Sequence, residues 1–293
     1  MRELFALFEP GFLLHNALWG SIAVGFFCPL IGVYFMLRRM VLLGVALPQI
    51  SAAGISFVFF LQGLGVSWSL HAGEANDRFL ALAGSAVFTI AAIFVLAYFE
   101  RRGEGTSESR IGAVYALAYA GAILLVAANP VGKIELLNML HGEIVSVSSQ
   151  DLHVLLMVYA FLIVTLFLFN NQFLLVSFDR ESARVMGKNV AAWDLWLYSI
   201  IGIAISIGVL IVGPMLTFAF LIIPPLAARR FCRKMTPFFI VSSIIGGFSG
   251  AAGFALSYHL DWPLSPTDIL VASVILAGAF LLRKSLDARA ASS

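Results

Sequence analysis

Fifteen of the 18 lysines and arginines in this chain fall on one side of a bilayer once its apolar segments are threaded through with the N-terminus outside. About nine such segments run along the 293 residues. The inward set is Arg38, Arg39, Arg101, Arg102, Arg110, Arg180, Arg184, Lys188, Arg229, Arg230, Arg233, Lys234, Arg283, Lys284 and Arg289, leaving Arg2, Arg78 and Lys133 outside. Translocating a basic residue is costly, so loops that keep Lys and Arg stay in the cytoplasm, and the asymmetry sets both span number and orientation. Only 12% of the residues are charged and 61% are hydrophobic, against about 25% charged in an ordinary soluble domain. Lipid has to cover that apolar surface. The expected fold is all-α: a single polytopic domain over 1–293, with about eight to nine transmembrane helices, in the bacterial inner membrane.

Other classes fall away on the same residues. A net charge of +2, carried in short loops rather than a stripe, excludes a nucleic-acid surface. Cys28 lies in the first apolar run and Cys232 in a basic loop, too far apart in character to pair and without metal-ligand spacing. The first apolar run is too long for a cleavable leader. No Gly-x-x-x-x-Gly-Lys-Ser/Thr loop is present, so energy for uphill work has to come from a partner. An intramembrane enzyme would need a His-Glu-x-x-His pair or a Ser/His/Asp set at one depth, and neither occurs.

Along the chain, spans are expected at Gly11–Leu37, Met40–Leu64, Phe79–Phe99, Ile111–Ala128, Leu152–Phe169, Leu195–Val212, Phe238–Tyr258 and Thr267–Leu282. Residues 1–10 read as an interfacial segment, and an outer helix is expected around Leu136–His141. Asp179 suits an N-cap and Gly187 a C-terminal stop for a short cytoplasmic helix between them. Gly213-Pro214 is expected to make a tight outer turn. The next run, Met215–Ala228, has 14 residues, or ~21 Å of helix against a ~30 Å core. Pro224-Pro225 is expected to break it, so that 221–234 continues as a basic helix on the cytoplasmic surface. The plain alternative for that segment is a positive-inside anchor.

Three stretches carry a resemblance. They are Arg39-Met40-Val-Leu-Leu-Gly44-Val45-Ala46-Leu47-Pro48-Gln49 through Gly54, Phe178-Asp179-Arg-Glu-Ser-Ala183-Arg-Val-Met-Gly187, and Val212-Gly213-Pro214 through Pro224-Pro225-Leu-Ala-Ala228-Arg229. In order and spacing they resemble the membrane subunits of bacterial ABC importers for zinc, manganese and iron. The resemblance implies a type II importer fold and a permease that pairs with a second copy of itself. It also implies a cytoplasmic ABC ATPase dimer below and a periplasmic or lipid-anchored solute-binding protein above. Pro224, Pro225, Ala228, Arg229 and Arg230 would form the ATPase-coupling segment, and Gly44, Val45, Pro48 and Gln49 the translocation pathway. The chain itself is expected to bind no cofactor; the cargo would be a Zn, Mn or Fe ion.

At one point the pattern departs from that family. Its second-helix signature typically carries Asp after the first Gly and His four residues later, one helix face bearing half of a divalent-ion site. Here the matching residues are Val45 and Gln49. Two readings stay open: the ion crosses on other ligands, or the cargo is a chelate or other small solute. Gln49 itself either lines the route or hydrogen-bonds a neighbouring helix. Pro48 frees the carbonyl of Gly44, which could add an oxygen to a pathway. The five histidines and Asp151, Asp261 and Asp268 map to the outer side, where His141 and Glu143 are the candidate metal contacts, against the alternative of solvated loop residues. A gradient-driven secondary transporter is the reading from another class, and it would want repeats and ionisable residues at the midplane.

Overall fold

The computed structural model describes residues 14–38, 40–64, 74–102, 107–129 and 147–292. Ten helices and no strand occur among the described residues: α1 His15–Leu37, α2 Val41–Gly63, α3 Glu74–Arg102, α4 Ser107–Ala128, α5 Ser149–Leu168, α6 Asn170–Phe178, α7 Arg180–Val185, α8 Val190–Ala228, α9 Met235–Leu260 and α10 Leu264–Ser292. Eight of them, all but α6 and α7, are long and apolar enough to cross a bilayer. The expected interfacial segment 1–10 and the outer helix around Leu136–His141 lie outside the described residues.

Local chemistry sets the boundaries. α5 begins in a capping box: Ser148 Oγ accepts from the amides of Gln150 and Asp151, while the Asp151 carboxylate accepts from the amide of Ser148 at 2.9 Å. Asp151 is thus committed to a helix start rather than to an open mouth. α7 is capped by Asp179, whose carboxylate accepts from the Ser182 amide, and it stops before Gly187 at φ +72°. Both of these α7 signals stand in the sequence.

α8 departs from expectation in two ways. Its 39 residues are helical on both sides of Gly213, which sits at φ 79°, ψ 167°. A Cβ added at Gly208 would meet Thr217 Cγ2 at 3.2 Å, although nine residues of straight helix separate their ends by ~13.5 Å. The chain therefore doubles back at Gly213, as the expected turn requires. Helix then continues through Pro224 and Pro225 to Ala228, followed by a turn and no helix over 229–234. This corrects the expected proline break. Pro225 cannot donate to the Leu221 carbonyl, but that carbonyl lies against Gly32 of α1, in the space a Cβ would fill. A neighbouring backbone thus takes up the freed acceptor, and the helix stays intact.

The doubled α8 is the core of the molecule. Its first arm starts beside Arg38 at the end of α1, where Asp194 pairs with that residue, and rises past Tyr159 of α5, whose hydroxyl donates to the Ala204 carbonyl. Ile211 meets Gly20 near the start of α1, and the return arm brings Ala228 back to Val33. Both ends of α8 thus lie at one end of the bundle. α10 runs from Asp268, bonded to Ser21, to Phe280, under Arg230. The start of α1 and the end of α10 are consequently at opposite ends, as an odd number of crossings with one folded-back element demands.

Candidate functional site

α2 is wrapped by α3, α4 and α8. Gly44, Ala46, Leu47, Pro48 and Ile50 are all buried, whereas Val45 and Gln49 are partly open. With the exposed Leu42 they form a stripe at i, i+3 and i+7 that a helix presents on one face. Above Gln49 the stripe closes, since Ala52, Ala53 and Ser56 are buried. Gln49 makes no hydrogen bond to another described residue. Among the described residues, the reading of Gln49 as a packing amide has no partner to rest on.

On the side of α2 away from that stripe, hydroxyls fasten the helices instead. Ser51 Oγ lies 2.5 Å from Ser85 Oγ of α3, and Thr89 donates to the Ser85 carbonyl at 2.8 Å. Ser206 of α8 donates to Thr89 at 3.4 Å, and all four side chains are inaccessible. Interhelical hydrogen bonds between small polar residues let apolar helices hold a defined register in lipid. The sequence reading passed over them, because serine and threonine in an apolar run look like neutral filler.

The outer set is described only in part. His141 and Glu143 lie outside the described residues. His15 is half-buried with Nδ1 unpartnered, His153 turns Nδ1 onto the Ser149 carbonyl of its own helix, and no group of three or more His, Cys, Asp or Glu capable of holding a metal occurs among the described residues. Asp268 is no loop residue. It is fully buried, accepts from Ser21 Oγ at 2.6 Å on Oδ2, and presses Oδ1 against Gly253. The expected last span began at Thr267, one residue before it, so its depth was hidden by where the helix starts.

At the opposite end, the five coupling candidates divide. Pro224, Pro225 and Ala228 are buried in the α8 return arm, and only Arg229 and Arg230 are exposed. The element that projects there is α7. Phe178, Val185 and Met186 are 59%, 89% and 65% exposed, among the exposed Arg180, Arg184 and Lys188. α6 and α7 lie outside the eight candidate spans, so these apolar groups are not the lipid-facing side of a spanning helix. The Ser182 hydroxyl and amide hold the Asp179 carboxyl below the ordinary carboxylate range, so its cap stays charged at neutral pH.

This arrangement has known counterparts. Over 281 residues the chain is 26% identical to the manganese transport system membrane protein MntC of Listeria innocua, covering 96% of this chain and 94% of that one. A Chlamydia trachomatis protein named "Probable metal transport system membrane protein" matches at 26% identity over 97% of this chain and 93% of its own. Among solved structures, PsaBC from Streptococcus pneumoniae in complex with Fab superposes with a TM-score of 0.81 over 95% of both chains at 23% identity. That superposition supports the fold: an all-helical bundle. The profile of the ABC 3 transport family matches residues 12–283, nearly the whole chain, and the protein therefore belongs to the ABC 3 transport family.

Proposed function

We propose that this chain is the permease subunit of a metal-ion ABC importer of the inner membrane, acting as a homodimer. A separate ATPase dimer sits on the face bearing α7 and Arg229–Lys234, and a solute-binding protein delivers cargo to the other. The positive-inside asymmetry assigns the first of these faces to the cytoplasm. The ATPase contact is formed by α7 together with Arg229 and Arg230, since the prolines behind them are covered.

The observation that carries the pathway assignment is Gln49: partly open, unpartnered among the described residues, and on the stripe with Leu42 and Val45 that the neighbours of α2 leave partly uncovered in its first half. A polar group left without a partner in a spanning helix is retained where it meets cargo or water. Two copies of the stripe facing each other would line a route with neutral oxygens and valines. Such a lining does not offset the desolvation of a bare divalent ion, which favours a partly hydrated or chelated metal as the travelling species. Uptake of radioactive Mn²⁺, Zn²⁺ and Fe²⁺, each free and as a small chelate, into proteoliposomes holding permease, ATPase and binding protein tests both points. Gln49→Leu is expected to lower uptake at least tenfold with the assembly intact. Unchanged uptake removes Gln49 from the route, and a preference for the free ion overturns the chelate reading.

A further inference from the structure

The end of α1 carries a largely covered ion pair with no counterpart in the pathway. Arg38, 4% exposed, places Nη1 2.7 Å from Asp194 Oδ1 at the start of α8, and Asp194 is itself 16% exposed. Arg38 Nε donates to Ser177 Oγ of α6 at 3.0 Å, and its guanidinium lies 5.1 Å from the ring centre of Tyr198. The Tyr198 hydroxyl reaches Met40 Sδ, 3.7 Å away, at the entry to α2. The other Asp194 oxygen faces Arg180 of α7 at 3.5 Å, on a side chain 49% exposed.

Four elements therefore meet at two side chains. α7 is fastened to the start of α8 from below, because Ala183 packs with Val176 of α6 and Val190 of α8 in one small cluster. α6 is fastened to α1, because the Tyr34 hydroxyl donates to Asn170 at 3.1 Å and Phe173 packs edge-on against Tyr34 and Trp193. Arg38 closes the loop, and three residues after it α2 begins, the helix that bears Val45 and Gln49. Separating two charges largely shielded from water is destabilising. Whatever displaces α7 and the start of α8 then drags the α1–α2 junction with it. The outer link, Arg180 to Asp194, is half in solvent and can lengthen freely. The Nη2 of Arg38 is buried without a hydrogen-bond partner, so the guanidinium keeps a donor free for a second arrangement of the same pair.

We infer that Arg38 and Asp194 are the positioning pair that couples the α6–α7 elbow to the pathway helix α2, so that movement imposed on α7 is converted into movement of the Val45–Gln49 stripe. This rests on the reading of α7 as the ATPase contact. Coupling through a network is shown only by non-additivity between its members.

The test uses the full importer, with its ATPase and binding protein, in proteoliposomes, with Mn²⁺ as the transported probe. The variants are Asp194→Asn, Arg38→Gln, the double variant, Arg38→Lys and Ser177→Ala, the last removing a neutral partner and leaving the pair in place. For Asp194→Asn and Arg38→Gln, the ATPase is expected to co-purify as with the wild type and basal hydrolysis to stay within twofold. Mn²⁺ carried per ATP should fall at least tenfold, with the double variant no worse than either single one. Ser177→Ala and Arg38→Lys should lose about threefold. A transport-to-hydrolysis ratio unchanged in all five overturns the pair's role, as does a loss that tracks falling melting temperature or ATPase co-purification. A wild-type assembly that binds no ATPase or carries no Mn²⁺ overturns the underlying function reading as well.

Discussion

One backbone carbonyl freed by proline, and a second one facing it, decide how closely α1 and α9 pack. Pro29 cannot donate to Gly25, and the Gly25 carbonyl lies where a Cβ of Gly246 would stand; reciprocally, a Cβ on Gly25 would meet the Gly246 carbonyl at 2.5 Å. The pair brings α1 and α9 to backbone contact, with Cα–H groups facing the two carbonyls. Gly246→Ala should therefore push the helices apart and cost about 1–3 kcal/mol, the range for overpacking a filled site. Gly121 of α4 has open space around it, and Gly121→Ala should leave stability unimpaired. Thermal unfolding of the two variants in detergent distinguishes them; equal melting temperatures would mean that the α1–α9 approach is not a constraint. The glycine-rich run of α9 is visible in the sequence as a packing face, but its partner on α1 is not, since nothing local ties residue 246 to residue 25.

Among the elements, α8 most depends on a single position. Gly213 at φ 79°, ψ 167° occupies a region open essentially to glycine alone, and the reversal there returns the second arm alongside the first. Gly213→Ala should strain the turn by about 1–3 kcal/mol. In the assembled importer, transport should fall more than binding of the ATPase does, because the arm returning to Gly32 and Val33 loses its register. Wild-type transport in that variant would show that the arms hold without the glycine. Gly213-Pro214 could be read as a turn from its residues. The fate of Pro224-Pro225 could not, because whether the helix survives depends on what meets the freed Leu221 carbonyl, and Gly32 lies 189 positions before Leu221 in the chain.

For the whole molecule, the doubled α8 leaves the start of α1 and the end of α10 at opposite ends, with Arg38, Arg180 and Arg230 gathered at one of them. In a variant lacking Cys28 and Cys232, a single cysteine at Arg230 should react with a membrane-impermeant maleimide only after the inner face is opened. One at Trp262, exposed between α9 and α10, should react in intact cells. Labelling of both from one side would contradict the fold-back and the orientation together. The charge pattern predicts this sidedness, because each basic residue carries its own translocation penalty and the penalties sum along a loop.

Hydropathy, charge sidedness and capping are properties of short windows, so the residues alone determined the spans to within a few positions, the α7 helix between Asp179 and Gly187, and the family signature in which Val45 and Gln49 stand out. Contacts between distant windows were left to the tertiary structure. It decided that Arg38 meets Asp194, 156 residues away, that Asp268 is buried against Ser21 rather than solvated, and that Pro224 and Pro225 stay inside a helix. The physical reason is the same in each case. The free energy of an isolated charge, carboxyl or loose carbonyl in lipid is set by whether a partner reaches it, and only the packed bundle supplies that partner.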